Sequence, residues 1–255
     1  MLRDAPYDWR GSLGLARTVI AHLDCTGFMQ QPSRTNEQTW VLTTLQKLAS
    51  MDADNGAVTD IMAWCTAHWL RIHQHDPQDL AALRGIGQAW LSRAQPALAR
   101  IQRSERSSTR SGSSSSRHTL PNGTATPNAR QVQQAAAADT ERRVGSPDFV
   151  EARGLLQPAT EYLDRAVAAA SMQQAITGNL LAVVSTGLVC VGLHSMVLTW
   201  EQTAEAYMFF GNVSSPRTNE ATFRRALQLL RAATLIPDYT LCRHLQQYVT
   251  DSFGS

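Results

Sequence analysis

Apolar residues recur along this chain at steps of three and four. There is little of the two-residue alternation that marks a half-buried strand, and no Asn-Gly turn stands between alternating runs. That pattern predicts an all-α protein. Helices are expected over 11–23, 36–50, 58–73, 79–102, 147–170, about 180–210, 219–233 and 239–252. Start and stop signals agree with these ranges: Asn55-Gly56, Asp76-Pro77, Ser146-Pro147 and Ser215-Pro216 with Asn219 each fall between two of them. Short turns between successive helices predict antiparallel hairpins stacked one on the next.

Between the fourth and fifth predicted helices the composition changes. Residues 103–117 hold eight serines and four arginines, followed by Pro121, Gly123, Pro127 and a Gln/Ala run to Ala138. Such a stretch offers too little apolar surface to offset the entropy lost on ordering it. The expected organisation is therefore two helical regions, 1–102 and 147–255, separated by a disordered linker over 103–146. The Arg-Ser pattern could also bind RNA or accept phosphate, although a solvated linker is the simpler reading.

Within 79–102, Leu83, Ile86, Gly87 and Trp90 stand at the spacings where a tetratricopeptide repeat places a large residue, an aliphatic residue, a small residue and an aromatic. Trp69 lies eight residues before Pro77 and Cys65 four before Trp69, as at the end of such a repeat's second helix. Ala159, Leu163 and Ala166 repeat the small, large, small spacing of a second helix, and Phe223 with Ala226 ends similarly. Trp40 opens the helix that would pair with 58–73. The chain thus resembles the tetratricopeptide-repeat (TPR) family over about two thirds of its length, which implies a TPR-like α-solenoid. It departs from the family in the long connection 51–57, in Pro158 inside a helix, and in a 34-residue period that cannot be followed across 103–146.

Residues 180–200 carry no charge over 21 positions, long enough to cross a bilayer. His194, two glycines, several hydroxyls and the absence of flanking Lys/Arg clusters stand against a span, and a buried core helix or strand is a second reading. A third comes from the repeat register. Removing 183–202 joins Leu180-Leu181-Ala182 to Thr203-Ala204-Glu205-Ala206-Tyr207, which places Ala204 four after Leu180 and Tyr207 three after Ala204. The 20 residues are a whole number of codons with ends compatible with splice signals, so this anomalous insert is expected to be a retained intron, poorly packed in the fold.

Composition narrows the function. A formal charge of +2, from 23 basic and 21 acidic residues, is too balanced for a protein devoted to nucleic acid or an anionic membrane surface. Cys25, Cys65, Cys190 and Cys242 are scattered with no C-x-x-C pair, which argues against a disulfide framework and points to reduced thiols in the cytoplasm or nucleus. Residues 1–10 mix Arg and Asp without an apolar core, unlike a secretory signal, so the glycosylation patterns at Asn122 and Asn212 are expected to be bare.

Candidate chemistry is sparse. Cys65, His68, His73 and His75 are ligand types that zinc accepts, but their spacing fits no closed site, and no metal or other cofactor is expected. His22, His118, His194 and His244 are isolated in sequence. Gly11-Ser12-Leu13-Gly14 lacks the strand of a nucleophile elbow, and Gly85-Ile86-Gly87 lacks the third glycine and strand of a dinucleotide site. Asp52 and Asp54 lie in a turn, where Asp serves local hydrogen bonding. Trp64, Trp69 and Trp90 could form an aromatic cage, but helical spacing places them in the core. A non-enzymatic scaffold or adaptor that holds a protein or peptide partner is therefore expected. The resemblance implies a groove lined from the first helix of each repeat, hence by Arg84, Gln88 and Glu205. The alternatives are a membrane-anchored protein using 180–200 and an RNA-associated factor acting through the Arg-Ser linker.

Overall fold

The computed structural model describes residues 9–52, 55–112, 129–180, 186–216, 218–235 and 240–251. These residues are helical, and no strand occurs among them. The helices are α1 (Ser12–Thr26), α2 (Thr35–Ala49), α3 (Thr59–His75), α4 (Leu80–Gly112), α5 (Ala129–Val144), α6 (Pro147–Leu180), α7 (Thr186–Val213), α8 (Asn219–Thr234) and α9 (Arg243–Asp251). Two single 3₁₀ turns, Phe28–Gln30 and Pro32–Arg34, link α1 to α2.

The largest helix–helix packing among the described residues joins α4 to α6, across the segment expected to divide the chain. The two run antiparallel. Ala97 and Ile101 meet the start of α6 at Phe149 and Ala152, while Leu83 near the start of α4 meets Ala166 and Ala169 further along α6. Midway, a Cβ built on Gly87 would lie 2.6 Å from Cγ of Leu163 and 3.3 Å from the Ala159 carbonyl oxygen, so the backbones touch closely there. The helices on either side of the expected linker 103–146 thus pair with each other as a helical hairpin. Small residues on both facing stripes explain the pairing, because they let two long helices approach and bury Leu83, Leu156 and Leu163 completely. Each such leucine contributes about 1.5–3 kcal/mol through burial.

Part of the expected linker 103–146 is helical. Helix α4 continues through 112 and α5 occupies 129–144, while 113–128 lie outside the described residues. Ala, Gln, Glu and Arg are good helix formers, and Arg143 forms an ion pair with Glu105 that ties the two returning arms together. Arg153 of α6 then donates to the carbonyl oxygens of Val144 (2.8 Å) and Val213 (2.7 Å), satisfying the ends of α5 and α7 at once. Pro158, expected to interrupt its helix, lies inside α6 without ending it, as Pro96 does in α4. Packing on both flanks outweighs the missing backbone bond.

The other helices pack in chain order. Helices α2 and α3 pair, α3 meets α4, α6 meets α7, and α7 pairs with α8. An amino-terminal core joins α1, α2, α3 and the start of α4 around Leu42, Ile61, Cys65, Trp69 and Ile86. A carboxy-terminal core joins α7, α8 and α9 around Ala204, Ala226, Leu230 and Leu245. Asp164 of α6 stitches the middle to this end, accepting from Tyr207 Oη of α7 (3.2 Å) and from Arg225 Nη2 of α8 (2.6 Å).

The anomalous insert lies partly outside the described residues: 181–185 are not among them, and side chains are described only from Thr199 onward. The backbone from Thr186 belongs to α7, which continues without a break into the packed half of that helix. Among the described residues, no helix is long and apolar enough to cross a membrane. Trp200 packs on the carboxy-terminal core four residues before Ala204, the place that excision would give to Leu180. The intact chain therefore meets the spacing without excision. Poor polar packing does occur at the end of the segment, where Trp200 Nε1, Glu201 Oε1 and Gln202 Oε1 are buried without hydrogen-bond partners.

Candidate functional site

Arg84 and Gln88 occupy successive turns of α4, beside the stripe that carries Leu83, Ile86, Gly87 and Trp90. Helical spacing puts Leu83, Ile86 and Gly87 inside, where they are buried, and leaves Arg84 and Gln88 half-buried at the margin. Burial pushes the Arg84 pKa down from its ordinary value. Trp90 is half-buried, and Arg93 lies over its ring at 5.1 Å. On α7, Glu205 is also half-buried, and its Oε1 lies 3.2 Å from Nε2 of His244 on α9. The carboxy-terminal helix therefore already engages one of the three residues expected to face a partner.

The expected structural positions are mostly interior. Trp69, Leu83, Ile86, Ala159, Leu163, Ala166 and Ala226 are buried, and Tyr207 and Phe223 are half-buried. Phe223 lies against Gly211, where an added Cβ would come within 2.8 Å of the ring. Burial, and then the Asp164 carboxylate, push the Tyr207 hydroxyl up to about 12, so it remains a hydrogen-bond donor.

The histidines of α3 do not converge with Cys65. Cys65 is fully buried, its Sγ 3.9 Å from the Leu42 carbonyl oxygen, and burial pushes its thiol up to about 12. His68 packs on Trp64 with ring centroids 4.4 Å apart, His73 meets Tyr162 edge-on at 5.8 Å, and His75 is exposed. Nor do the tryptophans form a cage. Trp69 sits in the core, and Trp64 Nε1 donates to Asp24 on α1 at 3.0 Å.

A cleft of about 350 Å³ opens between the 3₁₀ turns and α3, lined by Gln38, His68, Arg71, His75, Asp76 and Asp79 among others. Its floor is fixed by Gln38, whose amide donates to the carbonyl oxygens of Phe28 and Gln31 at 2.9 and 2.7 Å. Its lining mixes Arg71 and two histidines with the carboxylates of Asp76 and Asp79.

Compared with protein-family models, curated proteins and solved structures, the chain matches none.

Burial and the Arg71 charge lower the His68 pKa, and burial and the Arg165 charge lower that of His73. The folded state thus resists protons that the unfolded chain accepts. Stability from these groups is present above the unfolded value of 6.5 and is lost as pH falls below it, through the depressed folded values. Melting temperature is expected to fall between pH 7 and pH 5, with a shallower slope in His68→Leu; thermal melts across that range check this.

Proposed function

We propose that this chain is a non-enzymatic scaffold that holds a protein or peptide partner on a TPR-like stack of helical hairpins. The observation that carries the reading is the pairing of α4 with α6 through Gly87, Ala159 and Leu163. Those residues stand at the small and large positions of a repeat's first and second helix, with 103–146 as an insertion in the turn between them. Helices α2 and α3 would form the hairpin before it, and α7 and α8 the hairpin after it, in agreement with the order in which neighbouring helices pack. Thr203 Oγ1 reaches the Leu163 carbonyl oxygen at 3.4 Å, so α7 joins α6 as the first helix of a following repeat would.

In this arrangement α2, α4 and α7 line one face, and extended or helical peptides are the ligands such a face holds. Arg84 supplies a guanidinium for a carboxylate and Gln88 an amide for a peptide backbone. The test compares proteins captured from the native source by the full chain with those captured by Gln88→Arg and Arg84→Gln, each first shown to melt as the parent does. A partner held by the parent and reduced at least tenfold in both variants supports the reading. An identical captured set in all three removes α4 from the binding face.

A further inference from the structure

The carboxy-terminal end of the molecule brings together metal-ligating atoms that are far apart in sequence. Cys242 precedes α9, His244 lies in its first turn, and Glu205 projects from α7. Ligand atoms of all three lie within 4.8 Å of one another. Sγ of Cys242 is 3.7 Å from Nε2 of His244, and that nitrogen is 3.2 Å from Oε1 of Glu205. Around a tetrahedral zinc ion, with bonds of about 2.3 Å to sulfur and about 2.0 Å to nitrogen and oxygen, S and N stand about 3.5 Å apart and N and O about 3.3 Å apart. The observed separations differ from these by a few tenths of an ångström, within the reach of small side-chain rotations.

A further carboxylate stands close by on α7. Glu201 lies one helical turn before Glu205 on α7, and its Oε1 is buried with no hydrogen-bond partner. An unpaired buried carboxylate oxygen costs free energy that a cation removes. We propose that Cys242, His244 and Glu205 hold a divalent ion of the zinc class, with Glu201 one helical turn away adding negative charge beside it. Thiolate, imidazole and carboxylate together select zinc over magnesium or calcium, which prefer oxygen alone. The ion would clamp α9 onto α7, with one tetrahedral position left for water or another donor. This inference does not depend on the partner-holding reading, since it concerns the end of the stack rather than its face.

The probe is Co²⁺, then Zn²⁺ in competition, added to the metal-free full chain. The expected result is one equivalent bound, with a thiolate-to-cobalt charge-transfer band and the intense visible bands of tetrahedral cobalt, both displaced by Zn²⁺. Cys242→Ser should lose the charge-transfer band and bind at least tenfold more weakly. Glu201→Gln should keep the band and also weaken binding, and Cys25→Ser, which alters the other exposed thiol among the described residues, should change neither. Circular dichroism of the metal-free variants establishes that they fold, and His244→Gln serves in place of Cys242→Ser if that variant does not. Absence of stoichiometric binding overturns the proposal, as does a charge-transfer band that survives in Cys242→Ser.

Discussion

Gly87→Ala is expected to destabilise the protein, although the same change in an exposed helix interior stabilises by about 1 kcal/mol. The sign is reversed by the neighbour. The new Cβ would lie 2.6 Å from Cγ and 2.9 Å from Cδ2 of Leu163, and 3.3 Å from the Ala159 carbonyl oxygen. Cγ is the branch point of a fully buried side chain, and the carbonyl belongs to the facing backbone, so relief requires α4 and α6 to move apart. Overpacking of this kind costs about 1–3 kcal/mol, and Gly87→Leu, which inserts three more carbons, is expected to exceed that range. In a chain of this size each kcal/mol lowers the melting temperature by about 2–4 °C. Leu163→Ala alone should cost about 2–5 kcal/mol by leaving a cavity. Combined with Gly87→Ala it should cost less than the two separately, because the methyl enters the space the leucine leaves. Additive effects in urea unfolding of the four proteins would place Gly87 and Leu163 in different contacts and remove the α4–α6 pairing.

That pairing also marks where the sequence was legible. Each expected helix outside the insert appears near its place, although α4 and α6 run on to 112 and 180, past their expected ends at 102 and 170, because three-and-four periodicity is a local property and one buried face suffices to write it. Which helix lies against which is not local. Gly87 advertised a close approach, but Leu163 stands 76 positions later, beyond a stretch whose composition argued for a boundary. The Ser/Arg segment looked like a division between two regions because nothing within it records that its ends return to one hairpin. Arg153 was equally silent: a single arginine on an amphipathic helix reads as a solvated charge until the ends of two other helices are brought to it. Trp200 offered a signal that went unused. A tryptophan four before Ala204 and seven before Tyr207 repeats the spacing of Leu83, Gly87 and Trp90 more directly than the excision that joins Leu180 to Ala204.

The candidate residues divide in the same way. Arg84 and Gln88 lie at the margin of the buried stripe, as a helical wheel of α4 requires. Glu205 was expected to face a ligand and instead meets His244, 39 positions away, because α9 folds back on α7. Glu205 stands 37 positions before Cys242, and no local pattern connects the two. Cys65 and the histidines after it did have a local pattern, at i and i+3, yet they separate in the fold, since Cys65 is turned into the core and His73 toward α6.

Trp69→Ala is expected to be the most damaging single substitution in the amino-terminal core, at about 3–5 kcal/mol. Trp69 is 1% exposed, and its indole lies flat enough on α4 that a Cβ at Gly85 would be 2.5 Å from both Cε2 and Nε1. The ring also belongs to a closed polar chain linking three helices. Trp69 Nε1 donates to Oε1 of Gln46 at 2.6 Å, and Nε2 of Gln46 donates to the Gly85 carbonyl oxygen at 2.7 Å. Gln46, a polar residue in the apolar stripe of α2, is itself 3% exposed. Contributions of shape and of hydrogen bonding can be separated here. Trp69→Phe keeps much of the ring but leaves the Gln46 acceptor unpaired, and Gln46→Leu leaves the indole donor unpaired; each is expected to cost about 1–3 kcal/mol beyond its packing change. Joining Trp69→Phe to Gln46→Leu removes both partners, so the pair should cost less than the two single substitutions together. Chemical denaturation of the four proteins, followed by circular dichroism because Trp69→Phe itself changes the tryptophan fluorescence, reads the coupling directly. If the double variant is as unstable as additivity requires, the buried amide and indole do not act as a pair, and the close contact at Gly85 alone accounts for the position of Trp69. If it recovers stability, α2, α3 and α4 are held in register by one glutamine.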